Sequence, residues 1–280
     1  MFFRQHSEQE FSFNFSHVPI RFGKLGINEI THLKSFTTDK EYTLSTDWLS
    51  PYNAGTMIDG QPQGNHKACG GNHGTVGGGG YPTANNRKTT IEELGEKEYR
   101  VEVVNEITVP ANIGADGVRN SIDLIEKVTY LVTDNDLGIT VELESLTDVY
   151  INWYLGLQAT RAGWDGSILF HNDPVNTSPI EIGDSTINSG TKAQSPNIDR
   201  VTLTKGDYSL TIRTSPDYGI GYTHIRDTDP ICYLQGRTQT NSGKFYWHLV
   251  KNNNLLKMPA GTKVSYKGGY TFKKGEINHV

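Results

Sequence analysis

The chain has 280 residues, 35% hydrophobic and 20% charged, with a net charge of −5 and a pI near 6.0. That is too apolar for wholesale disorder and too acidic for a nucleic-acid binder, whose phosphate contacts need clustered Lys and Arg. No segment reaches the roughly 20 apolar residues that span a bilayer, and MFFRQHSEQEF lacks the basic-then-apolar pattern of a secretion signal.

Gly 30 and Tyr 14 are high and Met 3 is low, a balance that suits short strands joined by tight turns. Phe11, Phe13 and Phe15 alternate with Ser12 and Asn14, the mark of a strand with one buried face. RFGKLGINEITHLKSF predicts another strand or two, broken at Gly23 and Gly26, and TDKEYTLSTDW one more. From Asp47 to Tyr81 the composition changes. DWLSPYNAGTMIDGQPQGNHKACGGNHGTVGGGGY holds Trp48, Tyr52, His66, Cys69, Asn72 and His73 among dense glycines, with hardly an aliphatic residue. A long segment of this kind is usually functional or disordered. Its aromatics and Asn-His pairs favour a ligand-facing loop, placed at about 47–90.

RKTTIEELGEKEYRVEVV is ambiguous at its start, where Glu92, Glu93, Glu96 and Lys97 suit a helical turn that Gly95 weakens. Tyr99, Val101, Val103 and Ile107 then return to strand character. IEKVTYLV and GITVELESLTDVYINWY are rich in β-branched and aromatic residues and fit sheet, with Ile139, Val141, Leu143 and Leu146 as an inward face. Trp164 to Ser195 reads as a series of turns. DRVTLTKGDYSLTIRT is the cleanest hairpin: Val201 and Leu203 alternate before Lys205-Gly206-Asp207, and Tyr208, Leu210 and Ile212 after it. Further strands are expected in PICYLQGR, KFYWHLV and KVSYKGGYTF, with 273–280 an exposed tail. Strands in nearly every segment, with no helical pattern between them, predict an all-β fold. The expectation is one large antiparallel β-sandwich over residues 1–280, with few or no helices.

Candidate chemistry is sparse. His66, Cys69 and His73 give H-x2-C-x3-H, but the fourth ligand of a structural zinc site is missing at typical spacing. Asp59 or His171 completes the set only through the fold, so no metal and no cofactor is expected. Cys69 and Cys232 read as free thiols. His73 in GGNHG is the candidate catalytic residue, an acid or base beside a carboxylate; a plain tight turn is the other reading. Trp48, Tyr52 and Trp164 are candidates for ligand contact, since such rings suit places half dry and half wet. Trp153 and Trp247, in strand-like runs, read as core.

VTYLVTDNDLGITVELESLTDVYINWYLGLQAT resembles the central strands of the galactose mutarotase-like supersandwich. PICYLQGRTQTNSGKFYWHLVKNNNLLKMPAGTKVSYKGGYTF resembles its ending, with Met258-Pro259-Ala260-Gly261 before a last strand finishing Tyr270-Thr271-Phe272. In mutarotases a His protonates the ring oxygen and a late Glu acts as base. The best-matching positions here hold Gln158 and Gln235, whose amides do not titrate. The resemblance therefore implies a sugar groove without epimerase chemistry. A second segment, DWL-x-PY followed by GGNHG, is similar to one in tail-associated proteins of bacteriophages infecting Gram-positive bacteria. It implies a virion tail fibre, spike or receptor-binding protein, synthesised in the host cytoplasm. Such a protein meets host cell-wall polysaccharide beside other virion tail proteins, and the resemblance suggests a homotrimer.

Three readings stay open. One is a carbohydrate-binding tail protein with a groove lined by Trp48, Tyr52, Asn72, His73, Gln158, Trp164 and Gln235. Another is a hydrolase, esterase or lyase of the same polymer, using His73. The third is a purely structural virion part whose loop contacts a neighbouring subunit.

Overall fold

The computed structural model describes residues 2–5, 11–14, 24–27, 52–70, 83–154, 156–160, 166–172, 178–181, 191–193, 198–215, 232–235, 244–247, 249–250 and 255–274. The elements follow in chain order. β1 (Phe2–Gln5), β2 (Phe11–Asn14) and β3 (Lys24–Ile27) form a small antiparallel sheet of their own. Next come β4 (Tyr52–Ile58), β5 (Gln61–Pro62), β6 (Lys67–Cys69) and the long hairpin of β7 (Ala84–Gly95) and β8 (Glu98–Ile107). A single 3-10 turn, Pro110–Asn112, is the one helical element among the described residues. β9 (Leu124–Val132), β10 (Asp136–Ser145), β11 (Val149–Tyr154), β12 (Gln158–Thr160) and β13 (Ser167–His171) follow. The remainder is β14 (Ile180–Glu181), β15 (Thr191–Ala193), β16 (Arg200–Lys205), β17 (Tyr208–Thr214), β18 (Cys232–Gln235), β19 (Lys244–Trp247), β20 (Leu256–Met258) and β21 (Lys263–Lys274).

Two antiparallel sheets carry the core. The larger has nine strands in the order β14-β13-β16-β17-β21-β10-β9-β8-β7; the smaller runs β20-β11-β4-β5, with β6 also on β4. Because successive side chains in a strand face opposite ways, Val101 and Val103, Val128 and Tyr130, Ile139 and Val141, and Leu210 and Ile212 all point inward. They meet Tyr52, Ala54, Ile151, Tyr154 and Met258 of the smaller sheet in one continuous core. The fold is an all-β antiparallel sandwich, as the alternation predicts. No helix among the described residues is long and apolar enough to cross a membrane.

Some local expectations change. The stretch 47–90 is not one loop, since β4, β5, β6 and the start of β7 fall within it. Its fold turns on Asp59 (φ 49) and Gly60 (φ 71), which link the paired residues Ile58 and Gln61. An Asp-Gly pair tolerates the two positive φ angles that a tight hairpin demands. The supposed helical turn at Glu92–Lys97 is instead the end of β7 and a two-residue turn, with Lys97 at φ 61. Leu146 is 44% exposed, whereas Ile139, Val141 and Leu143 are buried; it lies in the turn just past the end of β10 at Ser145. The expected hairpin forms, but Lys205 belongs to β16 opposite Tyr208, so only Gly206 and Asp207 make the turn. β21 runs to Lys274, so the expected tail begins inside a strand. Residues 275–280 lie outside the described set.

Candidate functional site

The smaller sheet has a second face, turned away from the core, and it gathers the most chemically suggestive side chains among the described residues. The cause lies in β11. Ile151 pairs with Ala54, but the next pair is Trp153 with Asn53, so Asn152 is an extra residue in the strand. A bulge of this kind re-aims side chains and is common beside functional sites. Here it keeps Ile151 and Tyr154 in the core. Tyr150, opposite Gly55, and Trp153, opposite Asn53, take positions on the other face. Trp153 is half-buried and stands outside the core cluster, so the expectation that it is a core residue is corrected.

His66 closes over this face from the segment between β5 and β6. Its Nδ1 lies 2.9 Å from the Tyr150 hydroxyl and its Nε2 lies 2.8 Å from Asn152 Nδ2. The two rings meet edge-on, with centroids 5.9 Å apart and an interplanar angle of 81°. With the Asn152 amide donating to Nε2, the ring proton sits on Nδ1 and is given to the Tyr150 oxygen. The phenol O–H is then available to donate onward. Burial raises the Tyr150 pKa, partly offset by the backbone N–H groups of Gly64 and His66. Tyr150 is 1% and Asn152 6% exposed, while His66 is half-buried. Asn65 pins the segment: its Oδ1 accepts from Thr56 N at 3.0 Å and its Nδ2 donates to Thr56 Oγ1 at 2.8 Å.

Gly55 makes this closeness sterically feasible. A Cβ there would stand 2.6 Å from Asn65 Oδ1, 2.8 Å from the Tyr150 ring and 3.0 Å from His66 N. Gly55→Ala is therefore expected to push the 63–66 segment off the sheet and cost about 1–3 kcal/mol. Thermal unfolding reads this directly, and an unchanged Tm would show that the segment has room to spare.

Beneath the site, on the core side, lies a polar island. Glu126 is fully buried on β9 and accepts from Asn105 Nδ2 at 3.2 Å. Its negative charge acts on Tyr52, Cys69, Tyr130, Tyr154 and Tyr266. Tyr154 donates to Tyr266 at 3.3 Å and packs against Tyr52 with centroids 5.1 Å apart.

The expected site residues divide three ways. Tyr52 is 0% exposed, lies in the core and is not a ligand contact; its position opposite Tyr154 in the register turns it inward. Gln158 and Gln235 belong to one four-stranded sheet, β12-β19-β18-β15. Gln158 faces Tyr246 of β19 and Gln235 faces Lys244, so they sit two strands and two residues apart in register. Trp48, Asn72, His73 and Trp164 lie outside the described residues. Of the H-x2-C-x3-H set, only His66 and Cys69 fall among the described residues, and they stand apart. Cys69 is a free thiol buried in the core, and burial pushes its pKa up. His66 lies against Tyr150 on the opposite face of the same sheet. An odd separation along extended chain opposes the two donors. Of their proposed partners, Asp59 sits in the exposed β4–β5 turn, while His171 on β13 bonds Thr202 at 2.9 Å. Among the described residues no group of three His, Cys, Asp or Glu side chains is placed to hold a metal ion.

Tyr150, Asn152 and Asn65 carried no motif. The available signals were Asp59-Gly60, which implies a hairpin returning His66 to the sheet, and Asn152, a polar residue that interrupts an apolar strand.

No family model matches the chain, and no curated protein matches it in sequence. Among solved structures it is similar to a galactose mutarotase-like protein from Lactobacillus casei, with 10% identity over 98% of this chain and 100% of that one, TM-score 0.45. It is also similar to a putative aldose 1-epimerase from Escherichia coli, with 8% identity over 95% and 99% of the two chains, TM-score 0.46. A GH36 α-galactosidase from Geobacillus stearothermophilus matches 88% of this chain at 10% identity, TM-score 0.46. The chain spans 34% of the length of that galactosidase.

Proposed function

We propose that the protein binds carbohydrate without transforming it, on the outer face of the β4–β11 sheet. The observation that carries this reading is the His66–Tyr150–Asn152 set, in which imidazole, phenol and amide hold one another in fixed orientation. Pockets that recognise small polar ligands combine apolar surface with a few placed polar groups. Trp153 and Asn53 stand on the same face, giving a ring and an amide beside the set. A pyranose offers matching chemistry, an apolar ring face and a rim of hydroxyls. The segment DWL-x-PY…GGNHG adds the setting to the proposal: a virion tail protein, with the wall polysaccharide of a Gram-positive host as its ligand. Modest affinity per site is sufficient there, because many copies on one particle raise the avidity.

The experiment is retention on purified wall polysaccharide, with product analysis in the same tubes. Wild type is expected to be retained, with no release of reducing ends, acetate or unsaturated sugar. His66→Ala should weaken retention about tenfold, the loss of a good hydrogen bond to ligand. Asn152→Ala, which removes the buried amide that orients the imidazole, should weaken it too, both with the circular dichroism unchanged. Turnover that His73→Ala abolishes would replace binding by catalysis. Retention indifferent to both site substitutions would move the ligand elsewhere.

A further inference from the structure

β7 forms an end of the nine-stranded sheet among the described residues, and its sequence is charge-symmetric about its own centre. We propose that two copies of this chain pair edge to edge through β7, antiparallel, about a two-fold axis at Thr90. In that register Lys88 of each copy stands opposite Glu92 of the other, giving two cross-strand ion pairs, and Arg87 and Glu93 extend the basic and acidic ends beside them. All four side chains are exposed, and Thr90 between them is exposed too. Shifting the register by two residues either way sets Lys88 against Thr90 or Leu94 and leaves no pair of opposite charges. A parallel pairing sets Lys88 against itself. Directly opposed charges of unlike sign favour a pairing and like charges oppose it, so the sequence selects one arrangement.

The strand's own irregularities fit that arrangement. β7 shifts register against β8 between Asn86 and Lys88 and again between Glu93 and Gly95. Between them, Lys88 to Glu93 pairs regularly with Val104 to Tyr99, so the straight edge on offer holds both Lys88 and Glu92, while Arg87 is the extra residue of the first bulge. Bulges and charges normally blunt a sheet edge against promiscuous pairing. Here they confine it to six residues and one partner. Ile91 packs against the core within its own subunit, leaving the solvent face of the new pair to Lys88, Thr90 and Glu92. Glu92 already accepts from Arg100 at 2.9 Å, so Lys88 of the second copy joins an existing ion pair. A self-complementary patch closes as a dimer, in place of the trimer that the tail-protein resemblance implies.

Sedimentation equilibrium of the full chain at low salt tests this. A dimer is expected, weakening as salt screens the exposed pairs. Lys88→Glu, which places like charges opposite each other twice, should raise the dimer dissociation constant about tenfold; Glu92→Lys should do the same. The double variant Lys88→Glu/Glu92→Lys restores opposite charges and should recover most of the loss. Circular dichroism confirms that each variant is folded. A monomer at every concentration, a trimer, or a dimer unmoved by either single substitution overturns the proposal. So does a double variant no tighter than the singles.

Discussion

Asp123→Ala is expected to lower the unfolding free energy by about 3–5 kcal/mol, the summed loss of several hydrogen bonds to one buried carboxylate. Asp123 is fully buried at the head of β9. Its Oδ2 accepts from Val109 N at 2.8 Å, and its Oδ1 accepts from Asn112 Nδ2 and Ser121 Oγ at 2.8 Å and from Thr147 Oγ1 at 2.9 Å. Its own backbone N–H donates to Ile107 O, and its carbonyl accepts from Leu146 N, each at 2.8 Å. One side chain thus ties the 3-10 turn, the entry to β9 and the β10–β11 turn into a single knot. Truncation leaves the Val109 N–H in the interior without an acceptor, and an orphaned buried donor carries its full desolvation penalty. The corresponding Tm drop is roughly 10 °C for a chain of this size. Asp123→Asn keeps one carbonyl oxygen and should cost distinctly less. Equal losses for Ala and Asn would mean that the charge, not the number of acceptors, holds the knot.

How far the sequence foretold this molecule depends on what each residue needed to know about distant ones. β10 was legible because alternation is local: Ile139, Val141 and Leu143 declare their face within five residues, and β9 because Val, Thr and Tyr content and the turn residues after it favour strand. The β16–β17 hairpin was legible because its turn residues lie between its strands. Tyr52 departs from its expected role because dense glycines resemble loop. In fact Ala54, Gly55 and Cys69 use their small size to let the strands pack closely. The candidate site was invisible for a different reason. His66 meets partners 84 and 86 positions later in the chain, and no spacing rule reaches that far. Glu126 was equally hidden: it occupies an inward position in β9 that the pattern assigns to an apolar residue. Its acceptability depends on Asn105 and on aromatic hydroxyls, Tyr130 from its own strand and Tyr52, Tyr154 and Tyr266 from three others.

That buried island yields the second large effect, a steep loss of stability in alkali. Burial, above all, raises the pKa values of Tyr52, Tyr130, Tyr154 and Tyr266, and the negative charge of Glu126 adds to the rise in each. Cys69 is raised the same way. In the unfolded chain these phenols titrate near 10. Since the folded values lie higher, the native state holds its protons longer. The stabilisation it draws from neutral phenols is complete below about pH 10 and is lost as pH climbs toward the folded values. At pH 11 each buried phenol costs about 1.4 kcal/mol, and four together about 6 kcal/mol. That rivals the whole stability of a typical domain, about 5–15 kcal/mol. Far-ultraviolet circular dichroism should therefore hold steady to about pH 10 and then collapse over about one unit. Phenolate absorbance should jump in the same interval, because buried tyrosines ionise only on unfolding. Tyr130→Phe removes one ionisable group from the cluster and should move the collapse to higher pH. If phenolate from all 14 tyrosines instead appears gradually while the dichroism stays native, the four rings are not sealed between the sheets and the island beneath His66 is open to water.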